Sequence, residues 1–264
     1  MTRTIDEATA TALGERLFEA WRTRQPIPPL TADLPDLTPA DAYAIQLALI
    51  ERKLARGSRV IGWKVGLTSV AMQRLLGVTE PDFGHLLDGM LLPDGGTITC
   101  SEFIWPRVEP EIAFQLKAGL RGPGVTADDV LAATELLIPA LEVVDSRIRD
   151  WKIKLADTIA DNASCGRFVL GASRVPPGDF DLRLVGMNFY VDGELVSTAT
   201  GAAVLGHPAA AVAWLANTLA TFGQSLEAGQ VIMPGSLVGA VDAKPGNSFA
   251  AEFDRLGGVS LQVL

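Results

Sequence analysis

Two stretches of this chain put carboxylates where a folded protein normally puts hydrocarbon: "RVEPEIAFQL" (107–116) and "LLIPALEVVD" (136–145). Each reads as a strand destined for the interior, which limits the folds that can hold it. Alternate side chains of a strand share a face, so Glu109 and Glu111 project to one side and Val108, Ile112 and Phe114 to the other. Glu142 has apolar neighbours on both sides. A lone carboxylate there costs several kcal/mol unless it is paired or neutralised. One resolution is a solvated Glu109/Glu111 face, with Glu142 meeting an arginine such as Arg107 or Arg147. The other is a divalent cation at three converging carboxylates. Oxygen-only ligation suits Mg²⁺ or Mn²⁺ better than zinc. A third stretch, "GWKVGLTS" (62–69), sets Lys64 within another apolar strand, just before a turn.

The surrounding pattern predicts mixed α and β structure. One amphipathic helix fits residues 5–22, followed by the connector "PIPPLTADLPDL". A second helix has Thr38 as N-cap, Pro39 and Asp41 in its first turn and Gly57 beyond its end. From residue 59 short strands and turns take over, with a short helix expected over Ser69–Gly77 and another after the Thr126 cap. Asp192-Gly193 suits a type I′ hairpin turn, and Pro208 opens a helix that Gly223 closes. The expected organisation is a helical N-terminal region (1–58) and a β-rich catalytic domain (59–264).

Composition excludes several classes. The 264 residues are 48% hydrophobic and 20% charged, enough apolar matter for a real core. The net charge of −9 disfavours nucleic acid as a partner. The N-terminal stretch lacks an apolar h-region, and no unbroken run of 18 apolar residues predicts a membrane span, so a cytoplasmic location is expected. Cys100 and Cys165 do not make a disulfide framework. No G-x-S-x-G elbow, dinucleotide fingerprint or phosphate-binding loop is present. His85 and His207 receive no catalytic role, and Cys165 is read as a small packed side chain.

The blocks "GWKVGLTS", "LGVTEPDFGHL", "PRVEPEIAF", "PALEVVDSRIRDWKIKLADTIADNASCGRFVLG" and "VAWLANTL…LEAGQVIMPGSL" resemble, in the same order, the 2-hydroxypenta-2,4-dienoate hydratases. These belong with the 4-oxalocrotonate decarboxylases in the fumarylacetoacetate hydrolase-like superfamily, and the resemblance runs from about residue 38 to the end. It implies an α+β fold with a β-rich core of mixed strands and a helical N-terminal region. It also implies a metal-dependent lyase of the meta-cleavage catabolism of aromatic compounds, with Glu109, Glu111 and Glu142 as ligands of Mg²⁺ or Mn²⁺. Asp82 and "RDWKIK" are similar to hydratase wording, whereas "PDGGTITCSE" and "GAAVLGHP" are equally similar to decarboxylase wording. Decarboxylation of a 2-oxo-3-enedioate is therefore the alternative reaction.

On this reading Lys64 and Asp82 are the catalytic candidates, Lys64 for proton handling and Asp82 as base or water orienter. Leu67, Thr68 and Ser69 offer backbone N–H groups to a substrate carboxylate, and Ser164 and Ser236 offer hydroxyls to its oxygens. Asp161 and Asn162 are read as shaping their loop. The expected partners are a small 2-hydroxy-dienoate or 2-oxo acid and further copies of the chain, with association with other pathway enzymes as a further possibility.

Overall fold

The computed structural model describes residues 2–69, 73, 78, 80–178 and 180–264; the helix expected over Ser69–Gly77 therefore lies largely outside the described residues. The first predicted helix runs Glu7–Thr23 (α1), where the Asp6 side chain accepts from the Thr9 N–H. After a short turn of helix, Leu30–Asp33 (α2), the second predicted helix runs Pro39–Leu54 (α3). Thr38 and Asp41 form a reciprocal capping box at its start. Asp41 also accepts from Thr4 and Ile5, which pins the N-terminal segment to α3. The two long helices pack closely because Gly14 lies against Ala48 and the Ile45 carbonyl, leaving no room for a Cβ.

The strands are β1 (Val60–Gly66), β2 (Asp82–Leu87), β3 (Leu91–Leu92), β4 (Gly96–Ile98), β5 (Arg107–Leu116), β6 (Thr134–Val144) and β7 (Cys165–Leu170). They continue as β8 (Gly186–Val191), β9 (Glu194–Thr200), β10 (Val231–Met233), β11 (Val241–Asp242), β12 (Ser248–Phe253) and β13 (Gly257–Val263). Among the described residues they form two mixed sheets. One has the order β2-β1-β10-β5-β6-β7-β3, with β11 also on β5; the other has the order β4-β13-β12-β8-β9. Asp192 and Gly193, at φ 53° and 81°, make the primed turn between β8 and β9.

Helices α4 (Ala127–Ala133), α5 (Leu155–Ala160) and α6 (Pro208–Ala220) complete the chain. The Thr126–Asp129 capping box starts α4, and His207 caps α6 by accepting the Ala209 N–H on Nδ1. The stretch Gly201–Ala220 has the length and apolarity of a membrane span, but half of it is buried inside the protein. The main core joins Leu17, Ile45 and Leu49 of the helices to Val108, Ile112, Phe114 and Leu141 of the large sheet. The α+β class read from the sequence holds, with helix and strand in comparable amounts.

Candidate active site

Strand register brings the acids together. In the antiparallel β5–β6 pair Glu109 stands directly opposite Glu142, and Glu111 opposite Ala140. Directly opposed side chains share a face at about 5 Å between Cβ atoms, and Glu111 is two residues further along that face. One carboxylate oxygen from each of the three lies within 4.8 Å of the others. Glu111 and Glu142 are fully buried. The solvated-face reading is thereby corrected: this strand has an interior on both sides.

The neighbouring strand β10 ends at Met233. Pro234 has no N–H for a ladder, and Gly235 turns the chain away at φ 108°, where an added Cβ would collide with the Thr68 side chain. The Gly235 N–H instead donates to Glu111 Oε2 at 2.8 Å. The chain rejoins β5 as β11, opposite Arg107 and Val108, so the intervening loop opens the sheet beside the carboxylates.

Lys64, opposite Met233 on β1, fills this opening. Three strand spacings and a four-residue offset along the strands would separate its Cα from that of Glu142 by about 19 Å on a flat sheet. Its Nζ is in fact 3.3 Å from Glu142 Oε2, so the sheet curls over its charged face. The cation that meets Glu142 is therefore Lys64. Arg107 pairs with Asp242, and Arg147 with Asp161. Lys64 also donates to the Ala163 carbonyl at 2.9 Å and is 2% exposed.

Asp82, opposite Gly66 in the β1–β2 pair, closes the site from the other side. Its Oδ2 accepts from Thr158 of α5 at 2.6 Å, while Oδ1 has no partner among the described residues. Gly66 admits this carboxylate, since a Cβ there would overlap Asp82 Oδ1. Lys64, Asp82 and Glu109 border a cavity of about 290 Å³. Leu67, Thr68, Ser69, Ser164 and Ser236 all line it. The Ser164 hydroxyl is buried without a partner among the described residues, whereas Ser236 already donates to the Val238 carbonyl at 2.7 Å. Leu67 has φ 55°, and the helix that would follow Ser69 lies outside the described residues.

The electrostatics follow from burial and crowding. Burial and the Glu142 charge push Glu109 up to about 7, against the pull of Lys64. Glu111 and Glu142 are also raised, primarily by burial. Burial pulls Lys64 down, but Glu142, Asp82 and Glu109 outweigh it and raise its pKa, so the ammonium form persists. Among the described residues Glu111 Oε1 and both Glu142 oxygens lack hydrogen-bond partners; the Lys64–Glu142 contact is an ion pair without hydrogen-bond geometry. Three converging carboxylates with free oxygens fit a hard divalent cation.

Sequence reasoning missed Thr158, Trp151 and the apolar lining Val144, Ile153, Val238 and Ala240, and it named Arg107 only as a possible partner of Glu142, not as part of the cavity. Thr158 left one signal, a hydroxyl in the otherwise apolar run "LADTIA". Arg107 carried another, since it lies two residues before Glu109 on the same strand face. The remaining lining residues are ordinary apolar side chains whose place only tertiary structure shows.

The fumarylacetoacetate (FAA) hydrolase C-terminal pattern matches residues 80–264, and this chain belongs to that family. It is 54% identical over 220 residues to a 2-hydroxypent-2,4-dienoate hydratase of Pseudomonas putida, covering 83% of this chain and 99% of the relative. A 2-hydroxyhexa-2,4-dienoate hydratase of Comamonas testosteroni is 49% identical over 251 residues, covering 94% and 95%. Among solved structures, the 4-oxalocrotonate decarboxylase of Pseudomonas putida G7, complexed with magnesium and adipate, superposes with a TM-score of 0.96. It has 41% identity over the full length of both chains.

Proposed function

We propose that this protein is a metal-dependent hydro-lyase that converts 2-hydroxypenta-2,4-dienoate and water into 4-hydroxy-2-oxopentanoate, a step in the meta-cleavage catabolism of aromatic compounds. The observation that carries this reading is the mixed lining of the cavity. Lys64, Asp82 and Glu109 border it, and Glu111 and Glu142 cluster with Glu109. Val144, Ile153, Val238, Ala240 and Trp151 line it as well. Such a site offers charge to an acid's oxygens and hydrocarbon to a short uncharged tail. The two hydratases are 54% and 49% identical over 83% and 94% of this chain, and the decarboxylase 41% identical over all of it.

Glu109, Glu111 and Glu142 are the residues that would hold Mg²⁺ or Mn²⁺; the decarboxylase relative was solved with magnesium. When bound, such an ion supplies Lewis-acid polarisation of the substrate's 2-oxygen. The chain's own groups then have distinct tasks. Lys64 donates to Ala163 and contacts Glu142, which leaves an N–H of its three for the substrate's carboxylate or 2-oxygen. Asp82 Oδ1, free of partners and facing the same cavity, accepts the proton lost by the attacking water. In ketonisation the 2-hydroxyl proton is lost and a proton is gained at C5. In hydration the water oxygen bonds to C4 and C3 gains a proton. Ser164, with the backbone of Leu67 to Ser69, orients the acid, and Thr158 orients Asp82.

Residues 1–58 act in this reading as a helical support for the β-rich catalytic part, 59–264. We place the enzyme in the cytoplasm as a homo-oligomer; exposed Leu184, Leu195 and Val196, at and near the edge strand β9, support the self-association.

Decarboxylation of an enedioate is the second reading, and Arg107 is the observation that favours it. Its guanidinium borders the cavity, where a second carboxylate would need a cation. That cation is already engaged: Nε donates to Asp242 at 2.9 Å, and the guanidinium lies 4.4 Å from the Trp151 ring centre. The deciding experiment offers 2-hydroxypenta-2,4-dienoate and 4-oxalocrotonate side by side, with Mg²⁺ present, and identifies products by absorbance and mass. A gain of one water on the first acid is expected. Release of CO₂ from the second, with the first untouched, overturns the hydratase reading.

A further inference from the structure

The turn between α5 and β7 holds three consecutive non-glycine residues in the left-handed region: Asn162 at φ 54°, Ala163 at 48° and Ser164 at 56°. Each such residue crowds its Cβ against backbone, and a run of three persists only where the surroundings over-determine it. Two devices do so here. The buried Arg147 guanidinium donates to the carbonyls of Asp161 and Cys165, at the two ends of the turn, while its Nε holds the Asp161 carboxylate at 2.5 Å. In the middle, the Asn162 amide accepts from the His85 N–H at 2.7 Å and donates to the His85 carbonyl at 3.0 Å.

That reciprocal pair is what a neighbouring strand would make. β2 is an edge of its sheet, and the His85 backbone groups point away from β1. Gly84 lets the turn approach, since a Cβ there would lie 2.5 Å from the Asn162 carbonyl oxygen. Helix α3 adds a brace: Gln46 meets the His85 ring nitrogen Nδ1 at 2.8 Å and donates to the Phe83 and Ile159 carbonyls. The strained turn presents two groups to the cavity side, the Ala163 carbonyl that receives Lys64 and the unpartnered Ser164 hydroxyl.

We propose that Asn162 is a positioning residue for the reaction: standing in for a missing strand on the edge of β2, it holds the left-handed turn that fixes Lys64 and aims Ser164. This rests on the assignment of Lys64 and Ser164 to the reacting site. Asn162 itself touches no substrate; it acts through the turn.

The test compares kcat and KM of the full-length, Mg²⁺-loaded protein with Asn162→Ala, in the wild-type and Lys64→Ala backgrounds. In the wild-type background kcat should fall by about 10- to 100-fold with KM within about threefold. In the Lys64→Ala background the same change should cost less than about threefold, because residues acting through one group are not additive. An equal loss in both backgrounds, or an unchanged kcat in the first, overturns the proposal. Should Asn162→Ala fold poorly, Asn162→Gly removes the amide together with the left-handed strain at that position, and the same pattern is expected. Amide hydrogen exchange of residues 162–165 reads the turn without any substrate. Either variant should lose protection there, and full protection overturns the proposal. If the wild type releases CO₂ instead of adding water, the hydratase reading fails, and the same ratios measured on decarboxylation still judge Asn162.

Discussion

His85 shows how a residue that looks catalytic in sequence becomes structural. It is buried beneath Trp63, with ring centroids 4.1 Å apart, and its Nδ1 is committed to Gln46. Burial pushes its pKa down to about 4 from an ordinary 6.5. Between those values the unfolded chain binds the proton and the folded one does not, so stability rises with pH across the window. The contribution is complete above pH 6.5 and is lost as pH falls to about 4; a shift of this size corresponds to about 3 kcal/mol. Urea unfolding of the wild type and of His85→Gln at pH 4.5 and pH 7.5 checks this. The wild type should lose markedly more stability on acidification, and equal losses would count against the assignment. Lys64 makes the opposite point: equally buried, it keeps its proton because carboxylates surround it.

Among the elements, the capped helices were the most legible, because a cap is a local event between residues three apart. Thr38 with Asp41, and Thr126 with Asp129, form the boxes their spacing predicts. Sequence did not show that Asp41 also gathers Thr4 and Ile5 from 36 to 37 residues away, with its carboxyl held well below the usual range by those hydrogen bonds and the Thr38 ones. Asp41→Ala should therefore cost more than an ordinary cap, about 2–3 kcal/mol rather than about 1. The midpoint of a urea titration measures it, while kcat of the folded enzyme should stay within about twofold of wild type, since α3 supplies no group that touches substrate. The E-x-E strand was legible as well, but not the break in β10 beside it. That break depends on Pro234 and Gly235 meeting Thr68 and Glu111, which are more than 100 residues away in the chain.

At the scale of the whole molecule, three clustered carboxylates, with Asp82 nearby, share the Lys64 ammonium beside one cavity. The fold tolerates this repulsion, and a divalent cation should relieve it. Mg²⁺ at about 100 times its Kd should stabilise the protein by about 2.7 kcal/mol, a Tm rise of roughly 5–10 °C for a chain of this size. Chelation should reverse the shift and abolish turnover, and Mn²⁺ or Mg²⁺ should restore both. A Tm indifferent to metal, together with full activity in chelator, would refute the metal assignment. The sequence by itself determined the acids' shared strand face, the capped helices, the primed hairpin turn and the family, because alternation, capping and ordered motif wording are written in neighbouring residues. Tertiary structure alone decided that Glu142 stands opposite Glu109, that Lys64 rather than an arginine meets it, and that a strained turn braced on β2 receives the lysine. Strand register and sheet curl join residues far apart in the chain, and no local pattern encodes a distance between them.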